Sequence, residues 1–252
     1  DIIVQTRKRA SEKGTILLKQ QKFHNYELKG REKEIIEKKF VGDYENTEGL
    51  WQCLTCGACM NECPISIEHL HPIIGMRRSQ VMMEANFPPL LQNVFSSLEN
   101  NGAPWQFPSA ERAAWADGLG VQIAAENPEF EYLFWVGCAG SFDERAKKIS
   151  VAFAKLLQKA KISFAILGSE EMCNGDVARR TGNEYLANFL INTNIEILNR
   201  YNVKKILTIC PHCFNIFKNE YPDFGGNFEV YHHTQFLHEL IRMGKLRLRQ
   251  NS

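Results

Sequence analysis

The sequence predicts an α/β protein with a helical N-terminal part and a C-terminal part built on a parallel sheet. Three observations carry this. Polar, helix-periodic stretches surround a run of four cysteines between Cys53 and Cys63. A boundary at 86–128, rich in Pro88, Pro89, Gly102, Pro104, Pro108, Gly118 and Gly120, interrupts any long element. Beyond it, short apolar runs alternate with amphipathic stretches, the pattern of strand–helix–strand crossovers in a parallel sheet.

Residues 1–48 read as helical and polar, with Ile2, Ile3, Ile16, Leu17 and Leu18 as short apolar patches and Glu32 to Phe40 as a further helix. Residues 65–85 resume a helical pattern, in which Ile73, Ile74, Met76, Val81, Met82 and Met83 are apolar; the methionines are expected to pack in a core. A short helix is expected around Leu90–Leu98. From 130 onward, Tyr132 to Val136, Ile162 to Leu167, Lys205 to Ile209 and Phe228 to Tyr231 read as strands. Helices are expected over Asp143 to Lys159, Asn183 to Tyr201, from Pro211, and over Thr234 to Met243. The expected organisation is a helical domain at 1–95, a linker at 96–129 and an α/β domain at 130–252.

Composition narrows the function classes. The 252 residues are 44% hydrophobic and 23% charged, an ordinary globular balance, and the net charge of +1 offers no field for nucleic acid. Residues 1–40 carry eleven Lys/Arg against six Asp/Glu, read as a solvated helical face. No run approaches the ~18–20 apolar residues of a membrane span, and no stretch has signal-peptide organisation. Eight cysteines are therefore expected in a reducing, cytoplasmic setting, where metal binding is favoured over disulfides. The chain starts at Asp1 in what reads as mid-helix and stops after Leu246 with no closing element; a processed form or part of a longer product is the expectation.

Cys53, Cys56, Cys59 and Cys63 follow C-x2-C-x2-C-x3-C, with Pro64 next. This is the ferredoxin-type spacing of a [4Fe–4S] run, in which short loops aim soft thiolates at iron. Gly57 suits the bend because it tolerates positive φ. Structural zinc, the alternative, usually pairs two C-x2-C knuckles across a spacer. In two-cluster ferredoxins the fourth cysteine serves the other cluster. Cys53, Cys56 and Cys59 are then one cluster's share and Cys63 another's, so a partner run upstream of Asp1 is expected.

Cys138, Cys173, Cys210 and Cys213 each follow an expected strand, and the carboxyl ends of parallel strands form the ligand crevice of an open sheet. A second iron–sulfur cluster or zinc is the expected occupant. Cys210-Pro-His-Cys213 also reads as a thiol–disulfide motif at a helix start, but that reading leaves Cys138 and Cys173 unexplained. His232 and His233 follow the last strand, and His69 and His71 follow the first cysteine loop; all four are expected to be structural. Asp176, Arg179 and Arg180 are expected at a helix start. No glycine-rich fingerprint for flavin or nicotinamide is present.

The pattern C-x34-C-N-x35-C-x2-C resembles the cysteine-rich domain of heterodisulfide reductase catalytic subunits. That domain also occurs in iron–sulfur subunits of glycolate oxidase and anaerobic glycerol-3-phosphate dehydrogenase. Cys173-Asn174-Gly175 stands where this family has Cys-Cys-Gly. Trp135 to Asp143, Gly182 to Tyr185, Cys210 to Asn215, Glu99 to Trp105 and Met76-Arg77-Arg78 resemble one branch in particular. It consists of membrane-associated oxidoreductases thought to link electron-transfer flavoprotein to quinone. The resemblance implies a ferredoxin unit followed by cysteine-rich domains, with electrons passing between a flavoprotein donor and a quinone or disulfide-type acceptor at the inner face of a membrane. In the family, five cysteines accompany a non-cubane cluster that performs disulfide chemistry. With Asn174 in place of one of them, an ordinary cluster or a structural metal is expected instead.

Overall fold

The computed structural model describes residues 2–23 and 25–248; Asp1 and the last four residues of the expected unclosed tail lie outside the described residues. The chain divides into two compact units. One holds the residues up to Pro88 together with Arg180–Gly182, and the other the remainder.

The first unit is helical. It contains α1 (Ile2–Lys22), α2 (Arg31–Glu37), α3 (Thr47–Gln52), α4 (Ala58–Asn61) and α5 (Leu70–Met82). The helix expected to reach Phe40 stops at Glu37, because the backbone turns extended at Lys38 and Lys39. Buried Val41, Leu50 and Ile73 form a small core, with Ile2, Phe40, Cys53 and Met76 packed against it. The expected methionine packing holds at Met76 alone. Met82 and Met83 are 44% and 82% exposed, since they fall on the last turn of α5 and its C-cap, beyond the buried face of Ile73 and Ile74.

The second unit is an α/β sandwich. After α6 (Pro89–Asn101) and a 3₁₀ turn at Ser109–Ala116 come β1 (Gln122–Ile123), β2 (Tyr132–Trp135), α7 (Gly137–Phe142), α8 (Glu144–Lys159) and β3 (Phe164–Ile166). Then follow α9 (Asp176–Arg180), α10 (Glu184–Arg200), β4 (Lys205–Thr208), α11 (Pro211–Asn219), β5 (Glu229–His232) and α12 (His233–Arg242). The strands form one parallel sheet in the order β1-β3-β2-β4-β5. The sequence shows four of these strands. It hides β1, whose two residues, Gln122 and Ile123, are too short and too polar to announce a strand.

The β2 run is continuously apolar because both faces of the sheet are covered. Leu133 and Trp135 pack with Ile191, Ile195, Leu198, Ile216 and Phe217 of α10 and α11. Phe134 points the other way, to Phe153 and Leu157 of α8 and Phe236 and Leu240 of α12. Helix starts follow from side-chain caps. Asp143 accepts the Arg145 and Ala146 N–H groups at 3.1 and 2.8 Å, and Asn183 accepts that of Leu186 at 3.1 Å. From β2 the chain steps outward to β3, then crosses back over β2 to β4. The direction of winding therefore reverses between β2 and β4, which places the crevice of the sheet at their carboxyl ends.

Candidate functional site

The second cysteine set sits at that crevice. Cys138 lies in the first turn of α7, just past β2, and Cys173 lies in the loop after β3. Cys210 caps α11 two residues past β4, with Pro211 at the first helical position, and Cys213 lies within α11. All four are free thiols, and all four line one cavity of about 280 Å³. Trp135, Gly137, Asn174 and Asp176 share its wall, and Trp105 and His212 stand at its exposed side.

The sulfurs interact in two pairs. A hydrogen bond from Cys173 draws the Cys138 thiol below its usual range despite burial, with help from the Arg112 charge. The same contact, with burial, pushes Cys173 well up. Cys210 is lowered to about 6 by a hydrogen bond from Cys213 and by the backbone N–H groups of Cys213 and His212. Cys213 is raised correspondingly. The four sulfurs together are a soft donor set of the kind that iron–sulfur groups or zinc take.

Four side chains that the sequence reading did not single out support these cysteines. Arg112 is buried; its Nη1 lies 3.1 Å from Glu171 Oε1, and its Nη2 donates to Gly102 O at 2.7 Å and approaches Cys138 Sγ at 3.7 Å. Burial works against the guanidinium charge, and Cys138 and Glu171 outweigh it. Glu171 in turn accepts the N–H groups of Val136 and Gly137 at 3.0 and 2.8 Å, fixing the turn that leads into Cys138. Behind Cys173, Asn194 Nδ2 donates to Cys173 O at 2.9 Å, and the buried Tyr221 hydroxyl donates to Asn174 O at 3.1 Å. Asn174 Oδ1 accepts the N–H of Asp176, the first residue of α9, at 2.9 Å. Arg112 and Glu171 lie in loop and 3₁₀ segments without periodicity, which gave no signal to find them by.

The first cysteine set lies on a continuous loop in the helical unit. Cys53 caps the end of α3, Gly57 adopts φ +78° before α4, and Thr55 also has positive φ. Cys53 Sγ accepts the Thr55 N–H at 3.4 Å and Cys63 Sγ accepts that of Ile67 at 3.3 Å. Cys53 and Cys63 are partly buried, whereas Cys56 and Cys59 are exposed. Buried Arg77 anchors the start of the loop: its Nη2 donates to Leu50 O and Cys53 O at 2.8 and 2.6 Å. Among the described residues, no three His, Cys, Asp or Glu side chains are drawn together tightly enough to hold a single metal ion.

Of the histidines expected to be structural, His232, His233 and His71 make ordinary contacts, whereas the Nδ1 atoms of His69 and His233 are buried without a partner among the described residues. His232 bonds Thr234 Oγ1 and Ile209 O, His233 packs on Phe153, and His71 pairs with Glu68.

Residues 132–218 match the CCG cysteine-rich domain family, and the crevice cysteines all fall within that span. The chain is a homologue of the heterodisulfide reductase-related iron–sulfur oxidoreductases and carries their cysteine-rich domain. It is 46% identical over 217 residues to the EtfAB:quinone oxidoreductase of Syntrophomonas wolfei, covering 84% of this chain and 30% of that protein. It is 46% identical over 214 residues to the probable iron-sulfur-binding oxidoreductase FadF of Bacillus subtilis, covering 82% and 30%. It is 30% identical over 202 residues to a polypeptide of the dihydromethanophenazine:CoB–CoM heterodisulfide reductase of Methanosarcina barkeri, covering 77% and 48%. The chain thus spans about a third to a half of the length of these relatives. No solved structure matches it.

Proposed function

We propose that the chain is an electron-carrying part of an iron–sulfur oxidoreductase, working between a flavoprotein donor and a quinone or disulfide-type acceptor. The observation that carries this reading is the convergence of Cys138, Cys173, Cys210 and Cys213, from three strand ends, on one cavity at the switch point of the sheet. Cys53, Cys56, Cys59 and Cys63 would hold a [4Fe–4S] cluster, and the four crevice cysteines a second. Such a group supplies reversible one-electron chemistry at a potential set by its surroundings.

What the chain contributes is the setting. The crevice sulfurs ring a cavity instead of meeting at one point, which suits a cluster better than a lone zinc ion with its ~2.3 Å bonds to sulfur. Arg112 brings positive charge to Cys138, and apolar walls restrict water. Reading Cys210 and Cys213 as a thiol–disulfide pair leaves Cys138 and Cys173 without a part. No helix among the described residues is long and apolar enough to cross a membrane. The quinone named in one relative motivates a working place at the inner face of a membrane beside redox subunits.

Iron and sulfide analysis of the chain reconstituted with ferrous iron and sulfide, with optical reduction by dithionite, tests the reading. A brown protein that bleaches is expected. A colourless protein that takes up zinc alone would sink it.

A further inference from the structure

Trp135 ends β2 at the floor of the crevice and is completely buried. It shares the wall of the cavity with all four crevice cysteines. Its ring meets Phe217 edge-on at 4.7 Å and 73°, a packing that fixes its plane. The indole Nε1–H is buried and finds no acceptor among the described residues. A buried donor left unpaired is costly, and native interiors rarely leave one without a partner of some kind. The neighbouring polar groups are already engaged: Glu171 accepts from Arg112, Val136 and Gly137, and Asn174 accepts from Asp176 and Tyr221. Asn194 Oδ1 is also buried without a partner among the described residues, but it lies behind Cys173 and outside the cavity wall. The acceptor that the cavity itself offers Trp135 is its occupant.

We propose that Trp135 donates its indole N–H to a sulfur of the group held by Cys138, Cys173, Cys210 and Cys213. This makes Trp135 a positioning residue that fixes the orientation of that group and raises its reduction potential, because a hydrogen bond to sulfur stabilises the more negative, reduced state. The proposal rests on the reading of the crevice as an iron–sulfur site. It assigns a role to a side chain that a hydrophobic-core reading treats only as packing.

The test uses the whole chain, labelled with indole-¹⁵N tryptophan and reconstituted with ferrous iron and sulfide. Cys210→Ser identifies which EPR signal belongs to the crevice. Pulsed EPR of that signal is expected to show a ¹⁵N coupling that disappears in Trp135→Phe and persists in Trp105→Phe, which alters the other tryptophan of the wall. Trp135→Phe, with unchanged circular dichroism, is expected to lower the reduced-to-oxidised ratio at fixed potential about fivefold. At 59 mV per tenfold for a one-electron couple this is about 40 mV. A crevice signal without ¹⁵N coupling, or with coupling lost in Trp105→Phe, overturns the proposal alone. If Trp135→Phe does not fold, the coupling in the parent and in Trp105→Phe decides. Absence of any EPR signal sensitive to Cys210→Ser overturns both this proposal and the iron–sulfur reading of the crevice.

Discussion

The guanidinium of Arg112 and the carboxylate of Glu171 form a 3.1 Å ion pair with side chains 1% and 2% exposed, and together they hold the turn that presents Cys138. Burial alone pushes the Glu171 carboxyl up, and Arg112 with the Val136 and Gly137 N–H groups opposes that. Removing one member strands the other charge in the interior, which typically costs about 3–5 kcal/mol. Arg112→Met is therefore expected to lower the unfolding free energy of the α/β unit by that amount in urea titrations. Replacing both, as Arg112→Met with Glu171→Met, is not expected to restore it. The N–H groups of Val136 and Gly137 would lose their acceptors, at about 1–3 kcal/mol each. Full recovery in the double variant would show that the pair contributes nothing beyond its own charge balance.

Gly137 fixes a second feature of the same turn. It has φ +76°, and a Cβ there would lie 3.2 Å from Cys213 Sγ. The backbone conformation strains any side chain there, and the contact is tight enough that Cys213, a proposed ligand, would have to yield by a few tenths of an ångström. Gly137→Ala is expected to lose at least half of the crevice iron while the signal of the Cys53–Cys63 loop is retained. Quantitative EPR with iron analysis reads this directly, and equal iron in both proteins would refute it.

These two features show what was legible and what was not. Four of the five strands, the longer helices between them and both cysteine runs could be read from the sequence, because burial on two faces gives continuous apolar runs and cysteine spacing is a direct signature; the short α7 that carries Cys138 was not read. The supports of the site were not legible. Arg112 and Glu171 are charged residues that sequence statistics assign to the surface, and only the fold brings residues 59 positions apart together. Tyr221 and Asn194 behind Cys173 were invisible for the same reason, since a hydrogen bond between separate helices leaves no periodic trace. Leu133, Phe134 and Trp135 read as one strand, yet only the cavity distinguishes Trp135 from its neighbours. Met83 misled in the opposite direction: an apolar residue at helical spacing, it extends past the end of the buried face.

Arg77 does for the first loop what Arg112 does for the crevice. It is 4% exposed, lies over the Trp51 ring at 5.3 Å, and donates to the carbonyls of Leu50 and Cys53. Burial lowers its pKa and the nearby Cys53 partly offsets this. Lysine is a point charge and cannot reproduce the forked donation to two carbonyls. Arg77→Lys is expected to weaken iron retention by the Cys53–Cys63 loop several-fold under chelator challenge, leaving the crevice signal unchanged. Equal loss from both signals would mean that Arg77 supports the chain generally and not this loop.

A pH dependence belongs to His233, at the start of α12. Burial, and after it the charge of His232, lowers the His233 pKa below the usual histidine value. Its ring packs against Phe153 at 5.8 Å and beside His232 at 4.4 Å, and its Nδ1 is buried without a partner among the described residues. A histidine whose folded pKa lies below its unfolded pKa binds a proton more readily when unfolded. Acid therefore favours the unfolded state, and this contribution to stability is present above the unfolded pKa and declines as pH falls from about 6.5. His233→Gln is expected to flatten that decline. The measurement is the difference in unfolding free energy between the parent and the variant across pH 5 to 8. That difference isolates His233 from the carboxylates, which titrate lower. A difference that does not change with pH would show that His233 titrates alike in the folded and unfolded chain, and that its packing does not select the neutral ring.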